Sequence, residues 1–256
     1  IKICPLDELG TMIKALHFLV LQNSDEVYNL ECLDCTESSR VRCISIDLKG
    51  NLYPYMLCNI GSGVSIVQVN GEHSYQRVSG TALGGGTFFG LARLLTDLNT
   101  FEDCMDAAAS GKEDTVNMLV RDIYGSGIAK FNLPGDFTAS FFGKAGRTDN
   151  SASTSPNRDD ICRALIVMIT QNISQISYLN SVIYGSKRVV FTGNFLRMNP
   201  IALQTLSYAM QRWSETGPKS IEASYLRHEG HLGAIGSYLE NLDLEYFSGK
   251  QQRRGT

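Results

Sequence analysis

Residues 59–90 read NIGSGVSIVQVNGEHSYQRVSGTALGGGTFFG, and this stretch decides the fold. It holds two glycine and hydroxyl turns, Gly61-Ser62-Gly63 and Gly84-Gly85-Gly86-Thr87. The apolar patterning of 55–60 and 64–69, and more weakly of 75–78, predicts strands. Asn70-Gly71 signals a hairpin between the last two, because both residues tolerate the positive φ of a tight turn. The second glycine turn opens directly into the apolar segment 87–95, which reads as a helix. Glycines let a backbone approach a ligand closely, and hydroxyls and amides at a helix start suit an anion. This pattern suggests phosphate handling, with Ser62 and Ser65 three positions apart around the first turn. The bland alternative is a hairpin turn with ordinary serine capping. Neither G-x-G-x-x-G nor G-x-x-x-x-G-K-[ST] is complete anywhere in the chain.

Working outward, residues 7–22 place Leu9, Ile13, Leu16, Leu19 and Val20 on one helical stripe. The polar, acidic segment 25–42 reads as a loop, followed by a strand over 41–46. Helices are predicted over 100–110, with Thr100 as N-cap and Gly111 at the C-terminal end, and over 114–124. The Ser/Thr/Asn/Asp-rich segment 144–157 reads as a loop. Helices at 164–179, 200–213 and 230–242 and a buried strand at 188–192 follow, with a frayed tail at 251–256. Mixed strands and helices of this kind make an α/β domain.

A formal charge of −3 and the lack of a long Lys/Arg run exclude a nucleic-acid groove or anionic membrane as main partner. The best apolar run, 12–21, is too short to span a bilayer and carries Lys14 and His17. Seven scattered cysteines, an odd number, point to a reducing compartment rather than a disulfide framework. The chain begins at Ile1, inside what already reads as an element, which suggests a fragment whose upstream part is absent.

Few other residues carry chemistry. Arg77 could take a carboxylate or phosphate bidentately, or sit solvated on a strand edge. Asp7 and Glu8 open the first helix, where the macrodipole favours carboxylates, and one of them could accept a substrate proton. Cys32-x-x-Cys35 with Cys43 makes half of a zinc site that no second pair or histidine spacing completes, so no metal site is expected. His228-Glu229-Gly230, before the last helix, reads as capping. Asn172-Ile173-Ser174 matches a glycosylation sequon but falls inside a predicted helix.

Several longer motifs, in order, resemble the eukaryotic-type (type II) pantothenate kinases of the actin/hexokinase/Hsp70 superfamily. They are NIGSGVSI (59–66), RVSGTALGGGTFFGL (77–91), LVRDIYG (119–125), RVVFTGNFLRMN (188–199) and LRHEGHLGAIG (226–236). The helical stretches IVMITQNISQISYL (166–179) and LSYAMQRWS (206–214) match as well. The resemblance implies an actin-like (ribonuclease H-like) α/β ATPase fold. Residues 1–50 would be the end of the first lobe and an interlobe segment, 51–245 the second lobe, and 246–256 a polar tail.

The activity implied is ATP- and Mg²⁺-dependent phosphorylation of the 4′-hydroxyl of pantothenate, the first committed step towards coenzyme A. Glu8 matches the general base. Ser62, Gly84, Gly85, Gly86 and Thr87 match the second phosphate-binding element. Ser65 and Arg77 match groups holding pantothenate, Arg77 on its carboxylate. Tyr124, Ala139 and Trp213 match positions lining the pantothenate or acyl-CoA pocket, some reached from a partner subunit. The resemblance further implies inhibition by acetyl-CoA or CoA, a homodimer with a heteromer as alternative, and a cytoplasmic setting unless an upstream segment directs the protein elsewhere.

Two departures stand out. The family's first phosphate motif, D-x-G-G-T with a following Lys, is absent from this chain. Ile128 replaces a usual tyrosine, and 136–142 (DFTASFF) is more aromatic than usual. Two functions are therefore weighed: an active kinase, or a non-catalytic regulatory subunit that senses acyl-CoA.

Overall fold

A computed structural model of the chain describes residues 5–32, 41–131, 133–146 and 156–252. Helix α1 (Glu8–Gln22) leads to strands β1 (Val27–Cys32) and β2 (Val41–Ile46). Strands β3 (Tyr55–Ile60), β4 (Val64–Gly71) and β5 (Ser74–Thr81) form an antiparallel meander, followed by α2 (Gly85–Leu95) and α3 (Phe101–Ser110). A small ladder of β6 (Met118–Leu119) and β7 (Thr138–Ser140) encloses α4 (Val120–Tyr124). Then come α5 (Arg158–Tyr184), β8 (Arg188–Thr192), α6 (Pro200–Thr216), β9 (Glu222–Leu226) and α7 (Leu232–Gln252).

The main sheet has seven strands in the order β2-β1-β9-β8-β3-β4-β5. Strands β3, β8 and β9 run parallel, and the other pairings are antiparallel. Strand β3 thus joins a three-strand antiparallel meander to the two parallel strands β8 and β9. Alternating side chains divide the core between two faces. Met56, Cys58, Ile60 and Ile66 pack with Phe88 of α2, Cys104 of α3 and Leu165 of α5. Tyr55, Leu57, Val67 and Val69 pack with Met12, Ile13 and Leu16 of α1 and Leu232 of α7. The parallel ends of β3, β8 and β9 share one rim, because Phe195 donates to the Ile60 carbonyl and Gly193 to the Glu229 carbonyl. Open α/β sheets bind ligands at such a rim.

Several sequence expectations change. The segment 25–42 is not all loop: β1 lies within it, paired on both sides by β2 and β9. The expected strand 41–46 forms as β2 and lies at the edge of the main sheet beside β1. The predicted helix 114–124 divides into a 3₁₀ turn (Glu113–Thr115), β6 and α4. Helix α5 extends well beyond 164–179, starting behind the Asn157 cap, which accepts from the Asp160 amide at 2.8 Å. The hairpin exists, but Gly71 pairs with Ser74, so Glu72-His73 form its turn and Asn70 is an extra, unpaired residue beside it. Thr100 and Gly111 cap α3 as expected. Asn172 lies within α5. Residues 251–252 still belong to α7, while 253–256 of the expected tail lie outside the described residues.

Candidate active site

The pairing of β4 with β5 builds the site. Val64, Ser65 and Ile66 face Thr81, Gly80 and Ser79, but the next residue, Val67, faces Arg77. Val78 is thus the extra residue of a β-bulge, a device that re-aims the side chains of the bulged strand. It reverses the alternation, so Tyr75, Arg77 and Gly80 all stand opposite residues of the α1 side (Val69, Val67 and Ser65). Val78 instead packs towards the opposite core. Arg77 then reaches forward along its own strand, over Gly80, and its Nε donates to Ser65 Oγ at 3.3 Å. Gly80 makes room for it, since a Cβ there would collide with Arg77 Nη2 and the Val64 carbonyl. Asn59 is the partner of Ser65 on the other neighbouring strand.

The first turn of α1 closes the opposite side. Asp7 caps the helix, accepting from the Leu9 amide at 3.3 Å and the Gly10 amide at 3.1 Å, and takes a third bond from the Tyr75 hydroxyl at 2.7 Å. Of the two acidic candidates, Asp7 is therefore engaged in structure, and Glu8 is the carboxylate that lines the cavity. That cavity has a volume of about 510 Å³ and is lined by Glu8, Asn59, Ser62, Ser65, Arg77 and Gly80, with neighbouring turn and strand residues completing the wall. Four residues selected from sequence, Glu8, Ser62, Ser65 and Arg77, are thus brought together.

The second glycine turn packs against the first. The amides of its three glycines are bound within the protein: Gly84 donates to Ala82 O (3.1 Å), Gly85 to Gly61 O (2.8 Å) and Gly86 to Ser62 O (3.0 Å). The Thr87 hydroxyl also turns inward, donating to Ala82 O at 2.8 Å. Gly84 to Thr87 do not line the cavity. Their glycines serve close approach, since a Cβ at Gly84 would lie 2.6 Å from the Ser62 carbonyl oxygen. The Gly85 and Gly86 amides thus tie the second turn to the first.

Tyr124, Ala139 and Trp213 lie away from this cavity, around the small ladder and α6. Tyr124 ends α4 and is 61% exposed, and Ala139 is exposed on β7. Trp213 packs edge-on to Phe137 at 5.5 Å and stacks with Tyr178 at 6.5 Å. Its Nε1, with Arg212 Nε and Thr138 Oγ1 nearby in sequence or register, is a buried polar atom lacking a partner among the described residues.

Of the other candidates, His228 is not a simple cap. Its Nδ1 lies 2.7 Å from Oε2 of the fully buried Glu26, and its amide donates to Glu26 Oε1. Cys35 lies outside the described residues, and Cys43 is an exposed free thiol. Among the described residues no group of three or more His, Cys, Asp or Glu could hold a metal ion, so the cavity provides one carboxylate and no cage. Among them, too, no helix is long and apolar enough to cross a membrane. Sequence reasoning missed Asn59, Tyr75 and Gly80. For Gly80 a signal existed, because an isolated glycine in a strand marks a bulge or a close approach.

Comparison with known proteins places this geometry in context. A family model described as Fumble matches residues 1–240. Pantothenate kinase 1 of Arabidopsis thaliana is 40% identical over 241 residues, covering 94% of this chain and 60% of that protein. Pantothenate kinase of Schizosaccharomyces pombe is 37% identical over 244 residues, covering 94% and 58% respectively. A 4′-phosphopantetheine phosphatase of Mus musculus is 39% identical over 195 residues, covering 76% of this chain and 23% of that protein. The chain thus spans less than two thirds of the length of each of these relatives.

Proposed function

This chain belongs to the Fumble family, and we propose that it is the substrate-binding and second phosphate-binding lobe of a pantothenate kinase. Residues 51–245 carry that lobe, with β1 and β2 added to the edge of its sheet. The observation that carries the proposal is that Glu8 and the Ser65–Arg77 pair face one cavity from different elements.

Pantothenate has a carboxylate at one end and a primary hydroxyl at the other. A guanidinium recognises the carboxylate as a planar fork and so fixes the direction of the molecule as well as its charge. Arg77 has this role, braced by Ser65. Glu8 takes the proton from the 4′-hydroxyl as that oxygen attacks the terminal phosphorus of ATP, and ADP leaves. Phosphoryl transfer is mostly positioning and charge neutralisation, and the Gly61-Ser62-Gly63 turn lies at the same cavity to meet the phosphates. The glycines 84–86 keep that turn in register with the start of α2. Mg²⁺ accompanying ATP is bound chiefly by phosphate oxygens and water, with at most one or two protein carboxylates. Glu8 is the cavity's carboxylate, and with Glu8 assigned to the proton no dedicated ligand set for the ion is found among the described residues.

Tyr124, Ala139 and Trp213, the last with an unpartnered buried Nε1 among the described residues, are the residues for the distal part of an acyl-CoA inhibitor and for a partner subunit in a homodimer. Free thiols at Cys43, Cys58, Cys104 and Cys162 suit a reducing, cytoplasmic setting. The test is a coupled assay of the full protein with ATP and pantothenate, following 4′-phosphopantothenate directly. Product formation dependent on both substrates supports the activity, and none with intact protein contradicts it.

A further inference from the structure

We propose that Tyr75, acting through Asp7, is a positioning residue that sets Glu8 over the Ser65–Arg77 pair, an inference that rests on the kinase activity proposed above. The starting point is a hydrogen bond that capping does not require. An N-cap aspartate is satisfied by the amides of the first turn, and Asp7 has both of those, from Leu9 and Gly10. The Tyr75 hydroxyl adds a third bond, at 2.7 Å, from a different element. Burial does not force it, because Tyr75 is 36% exposed and its hydroxyl could be satisfied by water.

Two further features of the fold keep this contact open. Gly10 leaves the space in which it forms: a Cβ there would collide with the Tyr75 hydroxyl and lie 2.8 Å from Asp7 Oδ2. Tyr75 and Arg77, two residues apart, share one face of β5, and the Val78 bulge turns that face towards the α1 side, opposite Val69 and Val67. Alternate residues of a strand are roughly 7 Å apart on such a face. One strand thus holds the base-bearing helix through Tyr75 and the carboxylate-binding group through Arg77. Core packing holds the body of α1 on the sheet, and the Tyr75–Asp7 bond ties its first turn to the strand that carries Arg77. The bond to Asp7, with some burial, pushes the Tyr75 phenol up.

The experiment is Tyr75→Phe in the full protein, which removes one oxygen and leaves the Asp7 cap. Misplacement of a reacting group by about 1 Å costs up to roughly a hundredfold in rate. The expected result is a kcat lower by about tenfold or more with the pantothenate KM within about twofold, since Arg77 is untouched. Hydrogen exchange at the Leu9 and Gly10 amides should speed up, while the second half of α1 is unchanged. Asp7→Ser, which keeps a capping oxygen but shortens the reach to Tyr75, should reproduce the loss, and the double variant should add little to either. An unchanged kcat with unchanged first-turn exchange overturns the proposal, as does a loss carried by KM alone. If the wild-type protein shows no turnover, the kinase activity is what fails. The exchange data then decide the clamp by themselves, and equal rates in wild type and Tyr75→Phe overturn it.

Discussion

Arg77 and Gly80, three positions apart on β5, lie on the same face of the sheet, with the guanidinium over the glycine's bare Cα. In a regular strand, residues three apart point to opposite faces. The bulge at Val78 brings them together, and the missing side chain lets Arg77 settle against Ser65. This local irregularity turns an edge-strand arginine into one wall of a cavity.

Gly80→Ala should therefore act on substrate binding first. The new methyl must displace Arg77 or push against the Val64 carbonyl. A hydrogen bond to a charged group contributes about 1.5–3 kcal/mol, so the pantothenate KM should rise by roughly 10- to 100-fold, with a smaller change in kcat. Steady-state kinetics with pantothenate varied at saturating ATP measures this. An unchanged KM would remove Arg77 from the binding role.

Gly84→Ala should separate the two turns. Its Cβ would stand 2.6 Å from the Ser62 carbonyl oxygen and 2.8 Å from the Gly63 Cα, both backbone atoms that cannot rotate away. Overpacking of this kind costs about 1–3 kcal/mol. Thermal denaturation should show a lower Tm, and the KM for ATP should rise more than that for pantothenate. Equal effects on both substrates would argue that the turn is scaffold alone.

Stability should weaken below neutral pH through His17. This residue is buried between Tyr55, 3.0 Å from Nε2, and Tyr53, 3.2 Å from Nδ1. Burial lowers its pKa from 6.5 to about 4. The unfolded chain binds the proton first as the pH falls, so the stability due to a neutral His17 is complete above 6.5 and is lost progressively towards 4. Urea titrations between pH 7.5 and 4 should show this slope, and His17→Gln should flatten it. An identical slope in the variant would place the titrating group elsewhere.

Much of the architecture was legible because its signals are local. The apolar runs 55–60 and 64–69 became β3 and β4, the glycine turn opened α2, and Thr100 capped α3. Strand β1 was hidden because VYNLEC is half polar, and its pairing with β9 comes from almost two hundred residues away. The segment 114–124 has helical composition, but Leu119 donates its amide to the Asp122 side chain and Met118 pairs with Ser140, which ends any continuous helix there. The site was half legible. Glu8, Ser62, Ser65 and Arg77 follow from residue type and resemblance, whereas the bulge at Val78 has no sequence signal beyond Gly80. The inward use of the Gly85 and Gly86 amides depends on a turn some twenty residues away, and nothing in GGGT reveals it.

The proposed activity depends most on Glu8 as the proton acceptor at this cavity. Glu8→Gln keeps size and helix position while removing the base, and Glu8 is exposed, so folding should be unaffected. General-base catalysis contributes roughly 10²- to 10⁴-fold. The direct measurement is the kcat of Glu8→Gln in the full protein for ATP-dependent formation of 4′-phosphopantothenate. A fall of that size with the pantothenate KM and Tm retained is the result expected, and turnover at the wild-type rate would contradict the account.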